Sequence, residues 1–141
     1  MTLPSVTLPR VGCGAFILDQ AQRLLLIERR LSPEAGFWGL PGGKVEPFER
    51  VETAVVREIR EELGIEIVLE SLLCVSELID AGQEIHFVNP VYVAGIVSGT
   101  ATNREPEKIS QVDWFRLTGV PHRLTAATRD ALSAYASRRE A

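Results

Sequence analysis

The run GKVEPFERVETAVVREIREELGI, residues 43–65, sets a glycine turn against a short helix crowded with carboxylates, and it decides how the rest of the chain must fold. Over residues 50–63 the apolar residues Val51, Val55, Ile59 and Leu63 recur at i+4, the spacing of one helical face, and Gly64 supplies a left-handed stop. Each helical residue advances by about 100°, so Glu58, Glu61 and Glu62 at i, i+3 and i+4 fall within a sector roughly 100° wide. That sector lies beside the apolar edge of Val51, Ala54 and Val55, and like charges at this spacing repel. A divalent cation removes the conflict. An oxygen-only donor set, with no His or Cys nearby, suits Mg²⁺ or Mn²⁺ and does not suit Zn²⁺. Just upstream, Pro41-Gly42-Gly43 turns the backbone tightly, and the glycines allow a close approach in which a carbonyl can act as a ligand.

Glutamate-rich helix faces are commonly solvated surfaces, but here the whole spacing matters. It reads Gly43, five residues, Glu49, seven residues, Arg57-Glu58-Ile59, one residue, Glu61-Glu62, one residue, Gly64-Ile65. In that form it resembles, without a departure, the signature box of the Nudix hydrolase superfamily, the group of MutT-like nucleotide pyrophosphohydrolases. A chance occurrence in a chain of this length is on the order of one in ten million.

The resemblance covers nearly the whole chain and implies an α+β fold, an α/β/α sandwich with a mixed central sheet and the box helix on one face. It implies that the Gly42 carbonyl and the carboxylates of Glu58, Glu61 and Glu62 hold one or more Mg²⁺ (or Mn²⁺) ions, and that Arg57 pairs with Glu49 to hold the loop against the helix. A further acidic ligand is expected from the loop NREPEKISQVDWF, with Glu107 the first choice and Glu105 the second. Relatives place the water-activating carboxylate at the position of Glu58, at that of Glu61 or in a distal loop, so that assignment stays open. One of Arg29 and Arg30, at the end of the second strand, is placed near the substrate phosphates, and Lys44 either touches them or is simply exposed. The implied activity is hydrolysis of a nucleoside or deoxynucleoside triphosphate to the monophosphate and pyrophosphate. An ADP-ribose or nucleotide-sugar pyrophosphatase is the second reading. A non-catalytic nucleotide-binding module is the third, and such modules typically lose box carboxylates that this chain keeps.

Composition is consistent with this picture. The 141 residues suit one domain over 1–141, and 45% hydrophobic with 24% charged residues is globular in kind. No stretch approaches the ~18 apolar residues of a membrane span, and MTLPSVTLPR has neither a basic leader nor an apolar segment, so a cytoplasmic setting is the default. Cys13 and Cys74 lack metal or redox spacing and read as reduced buried thiols. A net charge of −4 argues against gripping a nucleic acid polymer, whereas a small nucleotide needs only a metal and a few local arginines. No membrane partner is expected, and homodimers are frequent among proteins of this resemblance.

Along the chain, residues 11–18 and 24–30 read as strands joined by a polar turn into a hairpin, and residues 66–79 as one interrupted strand or two. Residues 84–97 read as a long strand whose Pro90 implies a bulge or an edge position. Residues 103–108 form a polar loop, residues 112–117 a short strand, and residues 125–138 a second helix with Ala127, Ala131, Leu132 and Tyr135 on its apolar face. Trp38 and Trp114 read as core aromatics flanking strands, not stacking rings, and His86 as an ordinary strand residue.

Overall fold

In the computed structural model, which describes residues 7–140, the apolar strands near the start of the chain become the centre of the molecule. Residues 1–6, the first part of the MTLPSVTLPR stretch, lie outside the described residues. The elements in order are β1 (Arg10–Ile17), β2 (Arg23–Arg29), β3 (Trp38–Gly39), β4 (Gly42–Lys44), α1 (Val51–Leu63), β5 (Glu66–Asp80), β6 (Ile85–Ser98), β7 (Ile109–Arg116) and α2 (Ala126–Glu140). Strands β4-β1-β6-β5 make a mixed sheet, in which β1 runs parallel to β6, and β3-β2-β7 make a smaller antiparallel one. With α1 and α2 on opposite faces, this is the expected α/β/α sandwich. No described helix is long and apolar enough to cross a membrane.

Side chains alternate across the central strands with period two, and each face meets its own helix. Cys13, Ala15 and Ile17 of β1 and Leu25 and Ile27 of β2 pack with Ala54, Val55, Ile59 and Leu63 of α1. Phe16 of β1 and Leu24 and Leu26 of β2 face the other way, onto Leu124 and Ala131. Each large side chain so buried contributes about 1.5–3 kcal/mol. Trp38 and Trp114 pack against these cores, Trp38 with its ring edge-on to Phe115 at 5.0 Å.

Two strand expectations need correction. β1 and β2 do not form a hairpin: they meet only at the bridge Leu18↔Leu24 and then diverge into separate sheets. Both are buried on both faces, and each uses both of its edges on other partners, β4 and β6 for β1, β3 and β7 for β2. Pro90 is neither at an edge nor at a register shift of its own strand. It lies in interior strand β6, where it pairs with Val75, and the parallel ladder to β1 lapses there, since Val11↔Val88 is followed only by Gly14↔Val91. The extra residues at the shifts are Glu70 and Leu73 of β5, one continuous strand of 15 residues, and Val97 near the end of β6.

The helix end is where the sequence and the fold agree most closely. Gly64 has φ 69 and ψ 24, and its N–H donates to the Arg60 carbonyl. The carbonyls of Glu62 and Leu63 accept N–H donors from Arg104 and Thr102, so the loop before β7 is tied to the end of α1. The Arg104 guanidinium lies over Gly64, where an added Cβ would fall within 2.4 Å of its Nε. Gly64→Ala is expected to cost about 1–2 kcal/mol for the left-handed backbone, with more from displacing Arg104, measured as a lower denaturation midpoint at unchanged m-value.

Candidate active site

Arg57, at the middle of α1, uses every donor it has. Its Nε and one Nη2 proton grip Glu49 at 2.7 and 2.9 Å, the other Nη2 proton reaches the Lys44 carbonyl at 3.1 Å, and Nη1 donates to Glu58 at 3.0 Å and Glu61 at 3.2 Å. All five N–H groups of the guanidinium are thus matched, the geometry only arginine can supply. The expected Glu49–Arg57 pair is present and bidentate. The paired side chains are mostly buried, and the hydrogen bonds to Glu49 lead in holding Arg57 above its ordinary range and Glu49 below its own.

The loop that Glu49 anchors begins with the glycine pair. A Cβ at Gly42 would fall 2.0 Å from the Cys13 carbonyl oxygen, and one at Gly43 would fall 2.2 Å from the Glu58 carboxylate. Close passage of two backbones on one side and a carboxylate on the other therefore fixes both residues as glycine. The turn at residues 46–49 closes with the Glu49 N–H on the Glu46 carbonyl at 3.1 Å, while the Glu46 N–H donates to Glu49 Oε1. Pro47 and Phe48 fill its two central positions. Phe48 has φ 67, the left-handed value that glycine usually serves at the second central position, and its ring is fully exposed.

The three box carboxylates sit in different surroundings. Glu62 is 7% exposed, lying in the same stripe as Val55 and Ile59, and Glu61 is about half exposed. Burial pushes the Glu62 carboxyl up to about 8, with the charges of Glu58 and Glu105 adding to it and the Gly42 N–H, at 2.8 Å from Oε1, opposing it. Glu58 is raised as well, first by burial, against the pull of Arg57. Arg29 also lowers Glu62, which places its charge toward the site while its Nε holds the Pro33 carbonyl.

The distal loop places its two glutamates differently. Glu105, which also pairs with Lys108 at 3.3 Å, is the loop carboxylate whose charge reaches both Glu58 and Glu62, whereas Glu107 is exposed. An Asn103 turn produces this: its Oδ1 accepts from the Glu105 N–H and its Nδ2 donates to the Ile109 carbonyl, turning Glu105 inward. Arg30 braces the same loop through the carbonyls of Pro106 and Lys108. It is thus Arg29, not Arg30, whose charge bears on Glu62. Lys44 is exposed, and its carbonyl is its contact with the site. Asn103 and Arg104 went unnoticed in the sequence; an Asn two residues before a glutamate in a polar loop was the available signal.

Among the described residues no three acidic, imidazole or thiol groups form a ready-built cation cage, since Arg57 draws Glu58 and Glu61 toward itself. The donor set nevertheless fits a hard divalent cation. Its groups are all oxygens, of the two Glu62 oxygens only Oε1 receives a donor among the described residues, and two carboxylates are held at raised pKa by burial and by neighbouring carboxylates.

A family model for the NUDIX domain matches residues 8–135. A crystal structure of a MutT NUDIX hydrolase from Burkholderia pseudomallei superposes with a TM-score of 0.83 at 53% identity, covering 90% of this chain and 98% of that one. An ADP-ribose pyrophosphatase of Methanocaldococcus jannaschii is 35% identical over 105 residues, 74% of this chain and 61% of that protein. A CTP pyrophosphohydrolase of Escherichia coli is 41% identical over 73 residues, 51% and 54% of the two chains. The chain thus spans roughly three fifths or less of these two relatives.

Two outcomes follow from the geometry. Arg57→Lys keeps the charge but has three donors for five acceptors, so it is expected to destabilise by about 1–3 kcal/mol in chemical denaturation. Glu62 binds its proton more tightly folded than unfolded, so its contribution to stability is full below its unfolded value near 4.5 and is lost as pH rises toward about 8. In chelator, stability should fall across that window, and Glu62→Gln should flatten the fall.

Proposed function

This chain belongs to the NUDIX family, and we propose that it is a divalent-cation-dependent pyrophosphohydrolase that cleaves nucleoside or deoxynucleoside triphosphates to the monophosphate and pyrophosphate. The observation that carries this reading is the set of oxygen donors gathered by α1 and the glycine turn, two of them carboxylates pushed above their ordinary range. We assign Glu58, Glu61 and Glu62, with the Gly42 carbonyl and Glu105 of the distal loop, as the residues that would hold Mg²⁺ or Mn²⁺. When bound, such a cation neutralises non-bridging phosphate oxygens and lowers the pKa of water.

The chain's own residues do the rest. The Gly42 N–H fixes Glu62 at 2.8 Å, and Arg57 fixes Glu58 and Glu61, so the carboxylates are oriented before substrate arrives. Glu58 or Glu61 accepts the proton of the attacking water. Arg29, which ends β2 and lowers Glu62, is the cation we place against the substrate phosphates. The likeness to the Methanocaldococcus jannaschii ADP-ribose pyrophosphatase, over 74% of this chain, supports ADP-ribose as the second substrate to try.

Activity on a panel of nucleoside triphosphates, ADP-ribose and sugar nucleotides should vanish in EDTA and return with Mg²⁺ or Mn²⁺, with little supported by Ca²⁺. Undiminished turnover in excess chelator would refute the metal assignment. Glu58→Gln and Glu61→Gln should each lower kcat, and the one that removes the proton acceptor should lower it by about 10²–10⁴ and flatten the acid limb of the pH profile. With a triphosphate in ¹⁸O-water, pyrophosphate and monophosphate should form, with label in one of them. Nucleoside diphosphate plus orthophosphate would overturn the reading.

A further inference from the structure

Phe48 is set apart from the other described aromatic residues by its full exposure. Phe16 stacks on Tyr135 at 4.9 Å, Trp38 meets Phe115, Phe37 lies under the Arg123 guanidinium at 4.7 Å, and Trp114 and Tyr92 pack against the α1 core. Among the described aromatic residues Phe48 alone is fully exposed. Its backbone is also at odds with its identity. Among the described residues four non-glycine residues have positive φ, and the other three, Gln22, Glu34 and Glu84, are polar residues in turns or loops. A bulky apolar residue in the left-handed region is a steric outlier, and here no burial compensates for it.

Its placement is nonetheless fixed. Phe48 immediately precedes Glu49, whose carboxylate is held at two points by Arg57, and the turn is closed in both directions between residues 46 and 49. The same guanidinium holds Glu58 and Glu61. A rigid turn therefore presents an unpartnered aromatic ring one residue from Glu49, which shares the Arg57 guanidinium with Glu58 and Glu61. A pre-positioned ring loses little freedom when a flat ligand covers it.

We propose that Phe48 is a substrate-stacking residue whose ring takes one face of the nucleobase when a nucleotide is bound at the box carboxylates. This rests on the nucleotide pyrophosphohydrolase reading above and adds the element that recognises the base. Stacking on an aromatic ring tolerates any base, because every base has a π-face, so the contact favours nucleotides over base-free polyphosphates without selecting one base.

The test is a set of substitutions read by kinetics and by fluorescence. Phe48→Gly suits the turn and should fold with an equal or higher Tm, while KM for GTP and for CTP rises about tenfold at unchanged kcat. Phe48→Leu should behave like the glycine variant, since it is apolar but flat on no face, and Phe48→Trp should keep the parental KM. Titrating Phe48→Trp with GMP in Mg²⁺ should quench its added fluorescence, whereas ribose 5-phosphate should not. Parental KM in both the glycine and leucine variants, or an equal response to GMP and ribose 5-phosphate, overturns the proposal. If the parental protein turns over no nucleotide, the functional reading fails by itself, and the tryptophan titration still decides the stacking: absence of GMP quenching refutes it.

Discussion

One guanidinium holds the site together. Arg57 bonds to a turn through Glu49, to the start of the loop through the Lys44 carbonyl, and to two residues of its own helix through Glu58 and Glu61. Isolated surface ion pairs contribute little, but this pair is bidentate, mostly shielded and part of a network, the case in which charge-assisted bonds are strongest. Because Lys44 ends β4 and β4 pairs with β1, the guanidinium also ties the helix to the central sheet. The loop, the carboxylate orientations and the exposed Phe48 ring are all referred to this one planar group.

The cost carried by the site is electrostatic. Glu62 occupies a position in the apolar stripe of α1, between residues that are wholly buried, and its neighbours Glu58 and Glu105 repel it. Val55, Ile59 and Leu63, each fully buried, contribute about 1.5–3 kcal/mol apiece and hold the helix down despite that repulsion. The helix is thus pressed onto the sheet by one set of side chains so that another set can be kept where they would not otherwise remain.

Local features were legible in the sequence and long-range ones were not. The i+4 repeat of Val51, Val55, Ile59 and Leu63 with Gly64 after it marks α1 to within a residue, and the spacing of Glu49 and Arg57 anticipates their ion pair. The separation of β1 from β2 could not be read, because apolar runs with a polar turn between them look alike whether they pair or part; the outcome depended on β6 and β7, far along the chain. Pro90 was misplaced for a related reason, since a missing N–H can be absorbed inside a sheet when one ladder lapses. The placement of Glu105 was not legible because it depends on two bonds made by Asn103, and the outward ring of Phe48 depended on a turn geometry that Pro47 hints at but does not fix.

The pairing of β1 has a consequence for the order in which the molecule can be built. Its local partner, β4, follows closely, but its other edge is filled by β6, with Arg10 beside Phe87 and Ile17 beside Ala94. During synthesis the whole box would leave the ribosome before any of β6, and until β6 arrives β1 presents a bare edge beside an already formed acidic helix. Non-local parallel pairing of this kind is slow to form. The box helix is therefore local in sequence and made early, while its floor is completed by a strand made after it.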